Sequence, residues 1–205
     1  MEDSENRKDA APVSATERQG NDAKKKKPEP SDAGTELYFW AQALTFALVA
    51  LVLVNTFFFR LSGVRGTSMV PTLNNNDQII MRVIDYDQPQ RGDLVVVMSD
   101  AFEDEPLVKR IVAVSGDVVD FDYDAGMLKI NGVTQYEPYI KEPITRFGNQ
   151  QFPFTVSDGC VFVMGDNRNG SIDSRWTEVG ELPTSHIIGK VLLRIWPITS
   201  FRTFS

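Results

Sequence analysis

Hydrophobic and polar positions along this chain fall into three regimes. Residues 1–36 carry Asp, Glu, Lys, Ser, Ala and Pro, with no aromatic residue and almost no aliphatic one. Such a segment buries too little apolar surface to offset its ordering entropy, and it is expected to be disordered. Leu37–Phe59 follows, 23 residues without a charge, interrupted by Gln42, Thr45, Asn55 and Thr56. From Leu61 onward the pattern breaks into short β-branched runs separated by Gly, Pro, Asn and Asp, which is the alternation of strands and turns.

The uncharged stretch predicts a helix. At 1.5 Å per residue it would reach about 34 Å, enough to cross a hydrocarbon core of about 30 Å. A core helix of a soluble domain would keep a polar face, and this one has none. Tyr38 and Trp40 at one end suit a membrane interface, and Phe57–Phe59 with Arg60 marks the other. A cleaved secretory signal fits poorly. The region before the apolar stretch is too long, the stretch exceeds the usual ~7–15 residues, and Arg60-Leu61-Ser62-Gly63 is no small-x-small site. Residues 37–60 are therefore expected to be an uncleaved signal anchor. Lys24–Lys27 favours a cytoplasmic N-terminus, with 1–36 as a cytoplasmic tail and 61–205 outside the plasma membrane. A second span is not expected, because Leu192–Phe204 is broken by Arg194, Pro197 and Arg202.

Strands are predicted over Gln78–Ile84, Leu94–Met98, Leu107–Val114, Val118–Phe121, Met127–Ile130, Val133–Tyr136, Cys160–Met164 and Ile187–Trp196. Residues 88–93 and the Asp124-Ala125-Gly126 stretch are turn chemistry, and Asn131-Gly132 is the strongest short hairpin signal in the chain. No stretch beyond the anchor shows helical periodicity.

Charge and single residues narrow the function. The net charge is −7, and from Leu61 onward 19 Asp/Glu stand against 13 Lys/Arg. Nucleic-acid partners are not expected, because phosphate binding needs a basic footprint. One cysteine, Cys160, allows no internal disulfide. With a single histidine, His186, the usual zinc sites are excluded, and no metal or cofactor is expected. Cys160 sits in an apolar strand, where a thiol packs rather than reacts, and no local signature pairs it with His186 as a transpeptidase would require.

A hydrolase without a histidine base needs another way to activate its nucleophile, and a desolvated lysine is one. Lys109 is the lysine inside an apolar strand. By period-2 alternation Leu107, Ile111 and Ala113 share its face, while Val108, Val112 and Val114 flank Arg110 on the other. Arginine cannot deprotonate, so Lys109 is the possible base. The residues alone equally allow a structural ion pair there. A nucleophile should stand on a tight small-residue turn, and Gly66-Thr67-Ser68-Met69-Val70-Pro71-Thr72-Leu73 is one. Gly66 would allow close backbone approach, and Pro71 stiffens the chain. Ser68 lies nine residues after Phe59, within about 30 Å of the end of the span at 3.3 Å per residue. The third segment, Val163–Arg175, is a polar loop leaving an apolar strand. There Asp173 and Arg175 could pair, Asn167 could satisfy backbone groups, and Ser171 could hydrogen-bond a lysine amine. Composition alone would also fit a surface turn.

Together these segments resemble the type I signal peptidases, the bacterial leader peptidase family, over roughly Leu37–Trp196. The resemblance is carried by the anchor, Ser68-Met-x-Pro-Thr-Leu73, Arg91-Gly-Asp-Leu-Val-Val96, Lys109-Arg-Ile-Val-Ala-Val-Ser-Gly-Asp117 and Gly165–Arg175, in that order. It implies a mostly β, antiparallel catalytic domain behind one transmembrane helix. A membrane-bound serine endopeptidase is implied, with Ser68 as nucleophile and Lys109 as general base. Ser171 would orient the lysine amine, with Asp173 and Arg175 as structural support. The backbone N–H of Ser68 would stabilise the oxyanion. Met69 and Pro71 are assigned to an apolar mouth at the bilayer. Substrates would be preproteins emerging from the translocase, cut after small-x-small sites. Some relatives carry a serine two positions before the nucleophile as a second oxyanion donor. Gly66 stands there in this chain, on the oxyanion side of the site, so that donor would come from backbone or water. Glycine at that position and the short segment after Lys109 look like the Gram-positive form, with 118–158 as a reduced second β-hairpin subdomain. Two rival readings compete with this one. A soluble self-cleaving Ser/Lys repressor is disfavoured by the span. A catalytically dead binding domain is disfavoured by the presence of Ser68, Lys109, Ser171 and Asp173.

Overall fold

The computed structural model of the chain describes residues 33–84, 86–99 and 105–204. The Lys24–Lys27 run and most of the acidic Asp100–Glu105 stretch lie outside the described residues. Helix α1 spans Ala33–Phe57. Beyond Gly34 it contains no helix breaker, and positions 33–54 are exposed all round. Among the described residues it is the helix long and apolar enough to cross a membrane. It ends earlier than the apolar pattern suggested. Phe59 and Arg60, expected to close the span, belong to a strand because Phe59–Gly63 pairs along its whole length with Gln78–Arg82.

The chain then contributes β1 (Phe59–Gly63), β2 (Gln78–Arg82), β3 (Leu94–Val97), β4 (Leu107–Val114), β5 (Val118–Asp122), β6 (Met127–Ile130), β7 (Val133–Thr134), β8 (Phe154–Thr155), β9 (Cys160–Met164), β10 (Leu182–Pro183), β11 (Ile187–Trp196) and β12 (Arg202–Thr203). They form two antiparallel sheets. The larger has the order β1-β2-β11-β3-β4-β9-β10 with β12 added to β11, and the smaller has the order β7-β6-β5-β8. The small sheet is an insertion between β4 and β9, which are direct neighbours in the large one. Its edge hairpin, β6–β7, turns at Asn131 (φ 52°) and Gly132 (φ 78°), the two left-handed residues that a two-residue primed turn requires. The short strands β8, β10 and β12 carry too little pattern to be read from sequence.

Three apolar clusters hold the sheets. One, under the small sheet, joins Val112, Ala113, Val119, Phe121, Leu128, Ile130, Ile144 and Phe162. Another packs Val64, Met69, Leu73, Ile79 and Leu94, and the third packs Val95, Val97, Ile111, Val161 and Val163. Strand β4 serves all of them because its alternation is interrupted. Its register against β9 shifts between Ile111 and Ala113. That bulge moves Ala113 away from the Ile111 side and into the small-sheet cluster with Val112, correcting the simple period-2 assignment.

Candidate active site

The turn that carries Ser68 is pinned from several directions. Val64 exchanges backbone hydrogen bonds with Asp77 and Asn76, and the Leu73 N–H donates to the Met69 carbonyl. Met69 is enclosed at 1% exposure among Val64, Leu73 and Ile79. The mouth assignment therefore needs correction: Pro71 is exposed, but the Met69 side chain is the core-side anchor of the turn and offers no surface to a bilayer. Gly66 sits at φ +81°, and a side chain there would meet no other part of the protein within 4 Å. The left-handed backbone of the turn is what favours glycine at this position.

On the other side stands β4, with Lys109 and Arg110 buried at 3% and 8% exposure. Arg110 makes a bidentate pair with the Asp166 carboxylate at 2.8 and 2.7 Å. It also donates to the Gly92 carbonyl at 2.7 Å and lies 3.9 Å above the Tyr139 ring. Lys109 has no carboxylate within 4.0 Å among the described residues. Its Nζ donates to Ser171 Oγ at 3.1 Å. Burial pushes the lysine pKa down to about 8, with Arg175 adding to the effect and Asp173 and Asp166 opposing it.

Gly165, just beyond β9, brings the two sides together. The register that sets Arg110 opposite Met164 carries Lys109 toward Gly165. A Cβ on Gly165 would overlap the Ser171 hydroxyl and would lie 2.5 Å from the Ser68 carbonyl oxygen. Only glycine leaves that space free. The Ser68 carbonyl accepts the Asn167 N–H at 2.9 Å, and the Thr67 carbonyl accepts Asn167 Nδ2 at 3.1 Å. Ser68 is half-buried. Thr72 donates its hydroxyl to Asp166, so the Ser68 turn and the Arg110 pair share one carboxylate. Arg194 of β11 adds bonds to the Thr72 carbonyl at 3.1 Å and to Asp77 at 2.8 Å.

The loop beyond β9 is held by its own ion pair. Asp173 and Arg175, both fully buried, bond at 2.8 and 2.9 Å. Asp173 also accepts the Gly165 N–H at 3.0 Å. Burial opposes ionisation of Asp173, but the Arg175 hydrogen bonds and charge outweigh it and hold the carboxyl below the usual range. Three residues in this arrangement carry no role in the sequence pattern: Asp166, Thr72 and Tyr139. Asp166 had a usable signal, since two adjacent cations in an apolar strand demand an anion for whichever one stays charged.

A cleft of about 730 Å³ opens beside these groups. One wall is β1 and the turn through Gly66, the other is residues 105–108, and Val96 lies between them. The cleft thus reaches to two residues before Ser68 and one before Lys109. Arg65 and Glu105, both exposed, face each other across it at 3.8 Å. The described residues contain no cluster of His, Cys, Asp and Glu able to hold a metal ion.

The chain is similar to known proteins over most of its length. Residues 37–196 match the sequence profile of signal peptidase, peptidase S26. Signal peptidase I S of Bacillus subtilis is 35% identical over 173 residues, covering 80% of this chain and 91% of that protein. Signal peptidase IB of Staphylococcus aureus is 31% identical over 184 residues, covering 82% and 93%. Among solved structures, a signal peptidase I from Enterococcus faecalis is 29% identical with a TM-score of 0.43, covering 50% of this chain and 96% of that one.

Proposed function

Because this chain belongs to the signal peptidase family S26, and so is a serine protease that cleaves signal peptides, we propose that Ser68 is its nucleophile and Lys109 its general base. The observation that carries this reading is the treatment of Lys109. It is a buried amine with a pKa near 8 that meets a hydroxyl rather than a carboxylate. At neutral to mildly alkaline pH a usable fraction is the free amine.

The chemistry follows in two halves. Lys109 Nζ takes the proton from Ser68 Oγ as that oxygen attacks the scissile carbonyl carbon. The negative charge on the carbonyl oxygen is met by the Ser68 N–H. The lysine then returns the proton to the departing amine of the mature protein, leaving the signal peptide as an ester on Ser68. Water, deprotonated by the same amine, attacks the ester carbonyl; the bond to Ser68 Oγ breaks, the lysine returns its proton to that oxygen, and the signal peptide leaves with a free carboxyl group. Ser171 keeps the amine aimed, and the Asp173–Arg175 pair keeps Ser171 in place. Residues 61–66 and 105–108 receive the preprotein as an extended segment, and the apolar Val64, Val96, Leu107 and Val108 favour small aliphatic side chains before the cut. Helix α1 anchors the enzyme in the membrane with the N-terminus cytoplasmic, so 61–205 meets preproteins as they leave the translocase at the lipid surface.

The test is cleavage of a preprotein carrying an Ala-x-Ala site, in detergent or lipid, by wild type, Ser68→Ala and Lys109→Met. Both variants are expected to fold and to be inert. Cleavage surviving either change would overturn the dyad.

A further inference from the structure

Between β7 and β8 the chain does not stay within the small sheet. Residues 137–150 run along the loop at 165–175 and bond to it repeatedly. Glu137 forms a bidentate pair with Arg168 at 2.7 and 2.6 Å. Lys141 donates its N–H to the Asp166 carbonyl at 3.1 Å. Asn169 accepts the Thr145 N–H at 2.8 Å and donates to the Pro143 carbonyl at 3.0 Å. At Gly148 the two backbones touch so closely that a Cβ would overlap the Arg175 carbonyl. The opposite side of the strap is apolar, with Ile144, Phe147 and Phe152 packed on the small-sheet core. The strap is therefore clamped between that sheet and the loop.

The contact nearest the chemistry is Glu137–Arg168. Arg168 is fully buried, and its Nε donates to the Gly165 carbonyl at 3.1 Å. Asp173 holds the N–H of the same glycine. Gly165 is thus gripped at both its polar groups, and the space left by its missing side chain is bordered by the Ser171 hydroxyl and the Ser68 carbonyl. A guanidinium held by a bidentate carboxylate has a fixed plane as well as a fixed position. Without Glu137, Arg168 would be a buried cation free to seek another anion.

We propose that Glu137 is a positioning residue for cleavage: through Arg168 it fixes Gly165, and with it the meeting point of the lysine side and the serine side of the site. The inference rests on the Ser68–Lys109 reading. It also assigns the small sheet a task, to press the strap against the catalytic loop. The strap contributes nothing to the cleft, whose walls are residues 61–66 and 105–108. Its loss should therefore act on turnover and spare substrate binding.

The experiment measures kcat and KM for the full chain in detergent on an Ala-x-Ala preprotein, with thermal unfolding of each variant. Ser68→Ala and Lys109→Met run alongside as controls. Glu137→Gln, which keeps size and removes charge, is expected to lower kcat at least about tenfold with KM within about twofold. Asn169→Ala, which loosens the strap at its more exposed end, is expected to lower kcat about threefold in the same sense. A folded Glu137→Gln with wild-type kcat, or with its loss in KM, overturns the proposal. If Glu137→Gln does not fold, Asn169→Ala decides, and wild-type kcat there overturns it equally. Cleavage by either control would instead mean that the dyad itself is misassigned.

Discussion

The two faces of β4 treat adjacent cations in opposite ways. Arg110 and Lys109 are consecutive, and both are buried. Arg110 receives a bidentate carboxylate, a backbone carbonyl and an aromatic ring. Lys109 receives one hydroxyl. The first environment makes a permanent charge tolerable, while the second makes a charge costly, as the proposed general base requires. Burial alone would not fit Lys109 for that role. The fold must also withhold the carboxylate that an ordinary buried cation would claim, and Asp166 and Asp173 are each committed to an arginine instead.

The comparison breaks most sharply at Lys109→Arg. That change keeps the cation and forbids its deprotonation. Initial rates of preprotein cleavage should fall by about 10⁴-fold or more. A rate near wild type would mean that the two faces do not differ in the way described. Next in size is Arg110→Met, which leaves Asp166 buried without its partner and should cost about 3–5 kcal/mol in chemical denaturation.

Lys109→Met should move stability the other way. Burial lowers the folded pKa to about 8 from 10.5. Below pH 8 both folded and unfolded chains hold the proton, and the folded state bears the full penalty of about 3 kcal/mol. Between about pH 8 and 10.5 the unfolded chain binds more protons, so wild-type stability rises with pH. Lys109→Met should therefore be more stable than wild type at neutral pH, with the advantage fading above pH 8. An advantage that is absent at pH 7 would sink the assignment of a desolvated amine. For the same reason kcat/KM should climb with pH through an acid limb near 8. The smallest effect is expected of Ser171→Ala, which removes the hydroxyl aiming Nζ and should lower kcat about tenfold with little change in KM. Equal losses in both parameters would point to a collapsed site instead.

Much of this was legible in the sequence because it is local. The strand of Lys109 shows its full length as an apolar run interrupted by Lys109 and Arg110, and the Asn131-Gly132 hairpin is written in its turn residues. The Asp173–Arg175 pair is separated by one residue and could be guessed. What could not be read depends on distance along the chain. Glu137 and Arg168 are 31 residues apart and Thr72 and Asp166 are 94 apart, and no periodicity links either pair. The bulge at Val112 was hidden as well, because an extra residue in one strand is visible only against its partner. Met69 illustrates the same limit. An apolar residue next to an exposed turn reads as surface until the core beneath it is known.

The nesting of one sheet inside the other has a practical consequence. Because 118–155 leaves and re-enters between two hydrogen-bonded neighbours, its edge strand takes no part in the pairing of the large sheet. Val133 and Thr134 of β7 are exposed, and a Cβ on Gly132 would meet nothing within 4 Å. Asn131, by contrast, is bonded to Val118 and Asp117 where the insertion leaves β4. A reporter or affinity sequence spliced after Gly132 would keep those bonds and leave the strap and the alignment of β4 with β9 unaltered. That position is therefore a natural grafting point for following the protease without tagging either terminus.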